Sequence, residues 1–447
     1  MPTVIVGAGP TGLFTAIALA RRGRRVVVVD RDPGPGADGV WRRRGVMQFE
    51  HAHTFRGPAV EALQDQIPDA LRALRRAGAR VLTAEDGAPI ALHSRRALFE
   101  RVLRETAWRE PGLTLITGHV DGVRRDAGRA VGIRVGGDVL PADLVIDASG
   151  RASRAMREGA HVSAEGGPCG ASYVTRQYRL VEAAAPGPVN SPIGLSLSLG
   201  GYFAVAFLHD GGNFSVTITH DGTDSRLHTL RHPDVFEAAV RAIPMLAEWV
   251  DPRRAYPTTS VLPGGRLHNS YRGQLDDAGR PVRPGLIRVG DAVCTTTPLA
   301  GRGVTLAFRQ AQALVTFLSR DSDTDTVTAD FDGWCRTHIR PWFLDHVRCD
   351  GDRLRRWGGG DVDLGSPLPS DLVVAAAAAD STMRSQVIPY DRMAALPASL
   401  DPLQRRAKAV YATGWRPPVA AGPDRHELAA LSLDLSNRTS SRLAPAY

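Results

Sequence analysis

Unbroken apolar runs, and the turns that end them, outline the first part of the chain. Val4-Ile5-Val6 has no polar interruption, as in a strand covered on both faces within a parallel sheet. Thr11 to Arg22 carries a helical pattern that stops at Gly23, and Val26 to Val29 predicts a second strand ending at Asp30. Pro33, Gly34, Pro35 and Gly36 mark a loop. Helical patterns follow over 57–77 and 95–109, then short strands near 113–117 and 131–135, then Leu144-Val145-Ile146.

After about residue 165 the pattern changes. Tyr173 to Leu180, Tyr202 to Leu208 and Asn213 to Thr219 read as strands, the last two joined through Asp210-Gly211-Gly212, a hairpin signature. A helix is expected over Asp234 to Val250. Leu286 to Val289 reads as a further parallel strand, and long helices are expected from near Gly301 and from Ala329 to about Arg356. The fold class is therefore α/β: a Rossmann-type domain with an antiparallel-sheet domain and C-terminal helices. The expected divisions are residues 1–165 for the first part of the Rossmann-type domain and 166–280 for the sheet domain. Residues 281–360 form its second part with long helices, and 361–447 a C-terminal extension.

Composition narrows the function classes. The 447 residues are 43% hydrophobic and 23% charged with a formal charge of +8, ordinary for a globular chain. The basic residues are nearly all arginine, with Lys408 the single lysine, and they are interleaved with acids. That scatter argues against nucleic acid as a partner. No apolar stretch reaches the length of a membrane span, and no basic leader precedes Val4. Cys169, Cys294, Cys335 and Cys349 show no CxxC spacing, which argues against a redox dithiol or a ribbon-type zinc site. A cytoplasmic protein with free thiols is expected.

Three glycine-containing segments carry the chemistry. Gly7-Ala8-Gly9-Pro10-Thr11-Gly12 follows the first strand and opens a helix. In such a turn Gly7 makes the bend, Gly9 lets the backbone approach a pyrophosphate, and Gly12 allows close helix–strand packing. The helix N-terminus then offers free N–H groups to the anion. Asp30, about 20 residues on, stands where a carboxylate accepts from ribose hydroxyls. The second segment is Asp147-Ala148-Ser149-Gly150. The third is Gly290-Asp291 with Pro298-Leu299-Ala300-Gly301-Arg302-Gly303.

Together the three segments resemble those of FAD-dependent monooxygenases of the para-hydroxybenzoate hydroxylase type (class A). The middle motif Asp-x-x-Gly is matched by Asp147 and Gly150. The last, Gly-Asp-Ala then Pro-x-x-Gly-x-Gly, is matched by Gly290, Asp291 and Ala292 and by Pro298, Gly301 and Gly303. An Arg-x-x-Leu element is matched by Arg95 and Leu98, and the resemblance covers about residues 1–320. It departs at Ser149, where many members have Asp, and at Asp30, where Glu is commoner. The resemblance implies a GR2-type FAD domain, with Gly7, Gly9, Pro10, Thr11, Gly12, Asp30, Arg31, Arg44, Gln48, Arg95 and Val120 among the cofactor residues. Asp147, Gly150, Gly290, Asp291, Pro298, Gly301, Gly303 and Val304 complete that set. The helix start at Gly301–Val304 would stabilise negative charge on the flavin edge.

Arg42-Arg43-Arg44-Gly45-Val46-Met47-Gln48-Phe49-Glu50-His51-Ala52-His53 resembles a segment of relatives from natural-product pathways. His51 and His53 are two apart and would share a face on a strand; pocket contact and structural hydrogen bonding both remain open, and a metal would need further ligands. His53 and Arg302 are the catalytic candidates. His51 is a pocket candidate in this segment, and Arg176, Tyr178 and Tyr202, with Phe207, are pocket candidates on the predicted sheet.

The resemblance implies hydroxylation or epoxidation of a small organic substrate by one atom of O2, through a flavin C4a-hydroperoxide. Electrons would come from NAD(P)H, directly or through a separate flavin reductase. A flavin halogenase is disfavoured by the absence of an active-site lysine and of a Trp-x-Trp-x-Ile-Pro segment. A reductase or dehydrogenase of the same superfamily, similar to the prenyl reductases, and a non-catalytic flavin sensor are the alternatives.

Overall fold

The computed structural model describes residues 1–41, 43, 45–151, 164–321 and 323–431. Ten strands, with the short Leu262–Gly264 pairing beside the main order of the antiparallel sheet, build the two sheets that matter for function. They are β1 (Thr3–Val6), β2 (Val26–Asp30), β3 (Leu113–Thr117), β4 (Leu144–Asp147), β5 (Ala171–Leu180), β6 (Gly194–Leu199), β7 (Tyr202–Leu208), β8 (Asn213–Asp221), β9 (Ala255–Pro257) and β10 (Leu286–Arg288). The first sheet has the order β10-β4-β1-β2-β3 and is wholly parallel. All four residues of β1 are buried, as a strand with layers on both faces requires. The second sheet is antiparallel with the order β6-β7-β8-β5-β9.

The helices are α1 (Pro10–Ala20), α2 (Gly57–Gln66), α3 (Pro68–Arg76), α4 (Arg96–Trp108), α5 (Pro233–Arg241), α6 (Pro244–Ala247), α7 (Gly303–Arg320), α8 (Thr324–His338) and α9 (Arg340–Trp357). Three expected single helices are each two. The breaks fall at Pro68, Pro244 and Pro341, and each proline opens the following helix. Proline lacks the N–H that would continue the ladder and fits the first turn of a new helix, where that N–H has no partner anyway.

An aromatic stack ties together the helices beneath the cavity described below. Phe14 of α1 and Phe308 of α7 lie 4.5 Å apart, and Phe99 of α4 packs on Phe55 at 4.2 Å. All four rings are fully buried, each contributing about 2–3 kcal/mol of transfer free energy. The C-terminal segment is a packed part of the same core. Its helices α10 (Ser370–Ala376), α11 (Arg384–Asp391) and α12 (Gln404–Ala412) bury Leu372, Val373, Tyr390 and Tyr411 there, whereas Leu428 packs with the antiparallel sheet. Among the described residues no helix is long and apolar enough to cross a membrane, and all four cysteines are buried free thiols.

Candidate functional site

A cavity of about 350 Å³ lies between the carboxyl end of the parallel sheet and one face of the antiparallel sheet. The Rossmann side is shaped by backbone. Gly7 has φ +105°, and a Cβ at Gly12 would stand 1.9 Å from the Gly7 carbonyl oxygen. A Cβ at Gly9 would meet nothing within 4 Å, so that glycine keeps space open for something other than protein. Gly9 caps α1 with no side-chain hydrogen bond, which leaves the first-turn N–H groups facing the cavity. Across the cavity Gly301, at φ +63°, turns the chain into α7, whose first residues Gly303 and Val304 line the wall.

Charges on this side form a chain. Asp30 Oδ2 accepts from the Ala8 N–H at 2.6 Å and from Arg43 at 2.9 Å, and its Oδ1 accepts from the Asp32 N–H at 2.8 Å. One acceptor direction on the carboxylate remains for a ribose hydroxyl. Arg43 then pairs with the fully buried Glu100, which also accepts from Arg96 at 2.5 Å. Burial lowers the Arg96 pKa to about 10, which leaves it charged at neutral pH. Arg96 Nη1 faces His53 Nε2 at 3.4 Å, and His53 Nδ1 lies 3.1 Å from the His51 carbonyl oxygen. These partners assign the Nδ1–H tautomer, with Nδ1 donating to the carbonyl. Burial, and then Arg96, hold the His53 pKa well below its usual value, so the ring is a neutral acceptor. Asp291, after the parallel strand β10, also lines the cavity; burial raises its pKa against the opposing pull of Arg96 and Arg151.

These residues fit a dinucleotide. The space at Gly9, the free end of α1 and the buried Thr296 hydroxyl, which lines the cavity without a hydrogen-bond partner among the described residues, are all features a bound cofactor would satisfy.

Gly7, Gly9, Pro10, Thr11, Asp30, Gln48, His53, Gly150, Asp291, Pro298, Gly301, Gly303 and Val304 all line the cavity. Gly12 and Gly290 stand behind it: a Cβ at Gly290 would come within 2.9 Å of the Thr11 side chain. Asp147 is turned away and accepts from the Ser149 N–H at 3.1 Å; burial raises its pKa. Arg31 is exposed, and Val120 packs behind the sheet with Val4, Val6 and Val29. Arg44 lies outside the described residues.

Several candidates sit elsewhere for identifiable reasons. Arg95 does not line the cavity; its backbone N–H donates to Asp210 at 2.6 Å and its guanidinium donates to the same carboxylate at 2.7 Å. Arg96 takes the cavity position instead. It lies on the face of α4 that buries Phe99, Leu103 and Ala107, and that spacing was the available signal. Arg302 points away into the C-terminal helices, bonded to Asp345 and Tyr390. His51 is buried beside Tyr173, their ring centres 4.9 Å apart, and burial lowers its pKa to about 4. On the sheet, Arg176 and Tyr178 both reach Glu237, and Tyr202 donates to the Pro423 carbonyl. They occupy the face away from the cavity. The alternate positions Tyr173, Phe203, Val205 and Phe207 line it, so of the sheet candidates Phe207 alone was on the facing side. Sequence reasoning also passed over Arg43, Thr54 and Glu100.

Residues 3–183 match the family model described as FAD dependent oxidoreductase. Protein FixC of Salmonella typhi is 33% identical over 160 residues, covering 33% of this chain and 36% of its own length. The chain therefore spans about a third of that curated relative. Among solved structures, PqsL, a probable FAD-dependent monooxygenase from Pseudomonas aeruginosa, superposes with TM-score 0.59 at 16% identity, over 80% of this chain and 100% of its own. A triple mutant of the flavin-dependent brominase Bmp2 gives TM-score 0.61 at 14% identity, over 98% and 99%. At these identities the structures establish the fold alone. The match to FAD dependent oxidoreductases thus covers residues 3–183, and the fold is one shared with flavin-dependent proteins.

Proposed function

We propose that the protein is an FAD-dependent monooxygenase that inserts one atom of O2 into a small organic substrate by hydroxylation or epoxidation. The observation that carries this reading is the unequal charge of the cavity. Arg43, Arg96, Arg151, Asp30 and Asp291 all belong to the Rossmann side, whereas the sheet side contributes uncharged side chains, with Phe203 and Phe207 half-buried against the space. A wall of that kind excludes water and leaves room for an apolar substrate.

FAD, when bound, supplies the redox and oxygen-activating chemistry. The chain's own residues then divide the remaining work. Gly9 and the end of α1 hold the pyrophosphate, helped by the buried cations Arg43 and Arg96. Asp291 accepts from a hydroxyl of the cofactor's sugar chain. The N–H groups opening α7 lie at the cavity wall and would favour negative charge on the flavin. His53, neutral and bonded to the His51 carbonyl, offers Nε2 as an acceptor beside Arg96. Electrons are supplied by NAD(P)H, directly or through a reductase partner.

The second reading is a reductase or dehydrogenase on the same cofactor. It is favoured by the family match, whose description, FAD dependent oxidoreductase, does not specify oxygen insertion. Reaction of the reduced protein with isotopically labelled O2, in the presence of uncharged arenes and alkenes, separates the two. Label in the organic product supports oxygen insertion; substrate reduction or oxidation without label overturns it.

A further inference from the structure

Arg302 stands between two cavity-lining residues, Gly301 and Gly303, yet its side chain leaves the cavity. The guanidinium is buried against the rings of Trp342 and Tyr390, 4.7 and 4.8 Å from their centres. It donates to Asp345 of α9 at 2.8 Å and to the Tyr390 hydroxyl of α11 at 2.7 Å. The Tyr390 hydroxyl also lies 2.7 Å from Asp345 Oδ2 and 2.6 Å from Ser370 Oγ, at the start of α10. Ser370 donates to the other oxygen of Asp345. Three elements, two of them from the C-terminal segment, thus converge on the residue that caps α7.

Such a network is stiff because each buried polar group depends on the others, and loss of one leaves its partners unsatisfied. Stiffness here has a chemical address. α7 begins at Gly303, and Gly301 next door has the left-handed backbone that sets the helix direction. A shift of Arg302 would move the N–H groups that face the cavity.

We infer that Asp345, Ser370 and Tyr390 are positioning residues for the cofactor: through Arg302 they fix the N-terminus of α7 against the flavin, and so tune its reduction. This rests on the FAD reading above. It gives the C-terminal segment a part in the redox site although it does not line the cavity.

The test uses the full-length, FAD-loaded protein and its Tyr390→Phe and Ser370→Ala variants, each keeping its buried volume nearly unchanged. The measurement is the two-electron midpoint potential of the bound flavin, with thermal stability recorded beside it. Tyr390→Phe is expected to weaken the preference for reduced over oxidised flavin about tenfold, a fall of about 30 mV for two electrons. Ser370→Ala is expected to shift it in the same direction by less. Lower melting temperatures with potentials unchanged or raised would mean a merely structural cluster and overturn the inference. If the wild-type protein retains no FAD, the cofactor reading itself fails, which is distinguishable from equal potentials in flavin-loaded variants.

Discussion

The two walls of the cavity follow different rules. On the Rossmann side function is carried by backbone: glycines sit where a Cβ would collide with the chain or fill the cofactor's space, and helix ends point inward. On the sheet side it is carried by which of two alternating faces a side chain occupies. The first kind of constraint names residue types. The second depends on a parity that one residue of shift reverses.

The largest expected effect sharpens the Rossmann half. Glu100 is fully buried and shared by Arg43 and Arg96, so Glu100→Ala takes a carboxylate from both cations, leaving Arg43 with Asp30 alone. It should lower unfolding free energy by about 3–5 kcal/mol in a denaturant titration. Gly12→Ala comes next. Its Cβ would stand 1.9 Å from the Gly7 carbonyl oxygen, and the overpacking should cost about 1–3 kcal/mol.

The sheet half has its own signature in pH. Burial lowers the His209 pKa to about 3, below its unfolded value, so between those limits the unfolded chain binds the extra proton. Stability from this group is complete above the unfolded pKa and is lost as pH falls towards 3. The loss should be on the order of 2–3 kcal/mol between pH 7 and pH 4. His209→Asn should flatten that slope. An unchanged slope would remove His209 as its source.

The smallest effect tests the parity directly. Tyr202 bonds the Pro423 carbonyl behind the sheet, so Tyr202→Phe should cost about 1 kcal/mol of stability and leave flavin affinity unchanged. A marked loss of flavin affinity would place Tyr202 on the cavity face and break the comparison.

The same contrast explains what could be read from the chain. The parallel strands, α1, α7 and the glycine motifs were legible because an unbroken Val run and a glycine between strand and helix have few other uses. Arg95 was chosen over Arg96 because Arg-x-x-Leu fits the former, and only the buried Phe99, Leu103 and Ala107 face separates them. Arg176, Tyr178 and Tyr202 were placed on the sheet correctly but face the other way, since alternation fixes which residues share a face and not which face meets the cofactor. Arg302 sits inside a cofactor motif, and its turn towards Asp345 depends on helices far along the chain. Glu100 has a local partner in Arg96 one helical turn away, but its second partner, Arg43, lies on a different loop that sequence spacing does not bring near.

The most direct test is flavin retention by the protein and by Gly9→Val. Gly9 has ordinary extended backbone, φ −77°, and open space around its Cβ position, so valine is compatible with the fold while filling the space proposed for the pyrophosphate. The account predicts a wild type that binds FAD and a folded Gly9→Val protein, with unchanged unfolding, that does not. A folded Gly9→Val variant with full FAD content would contradict it.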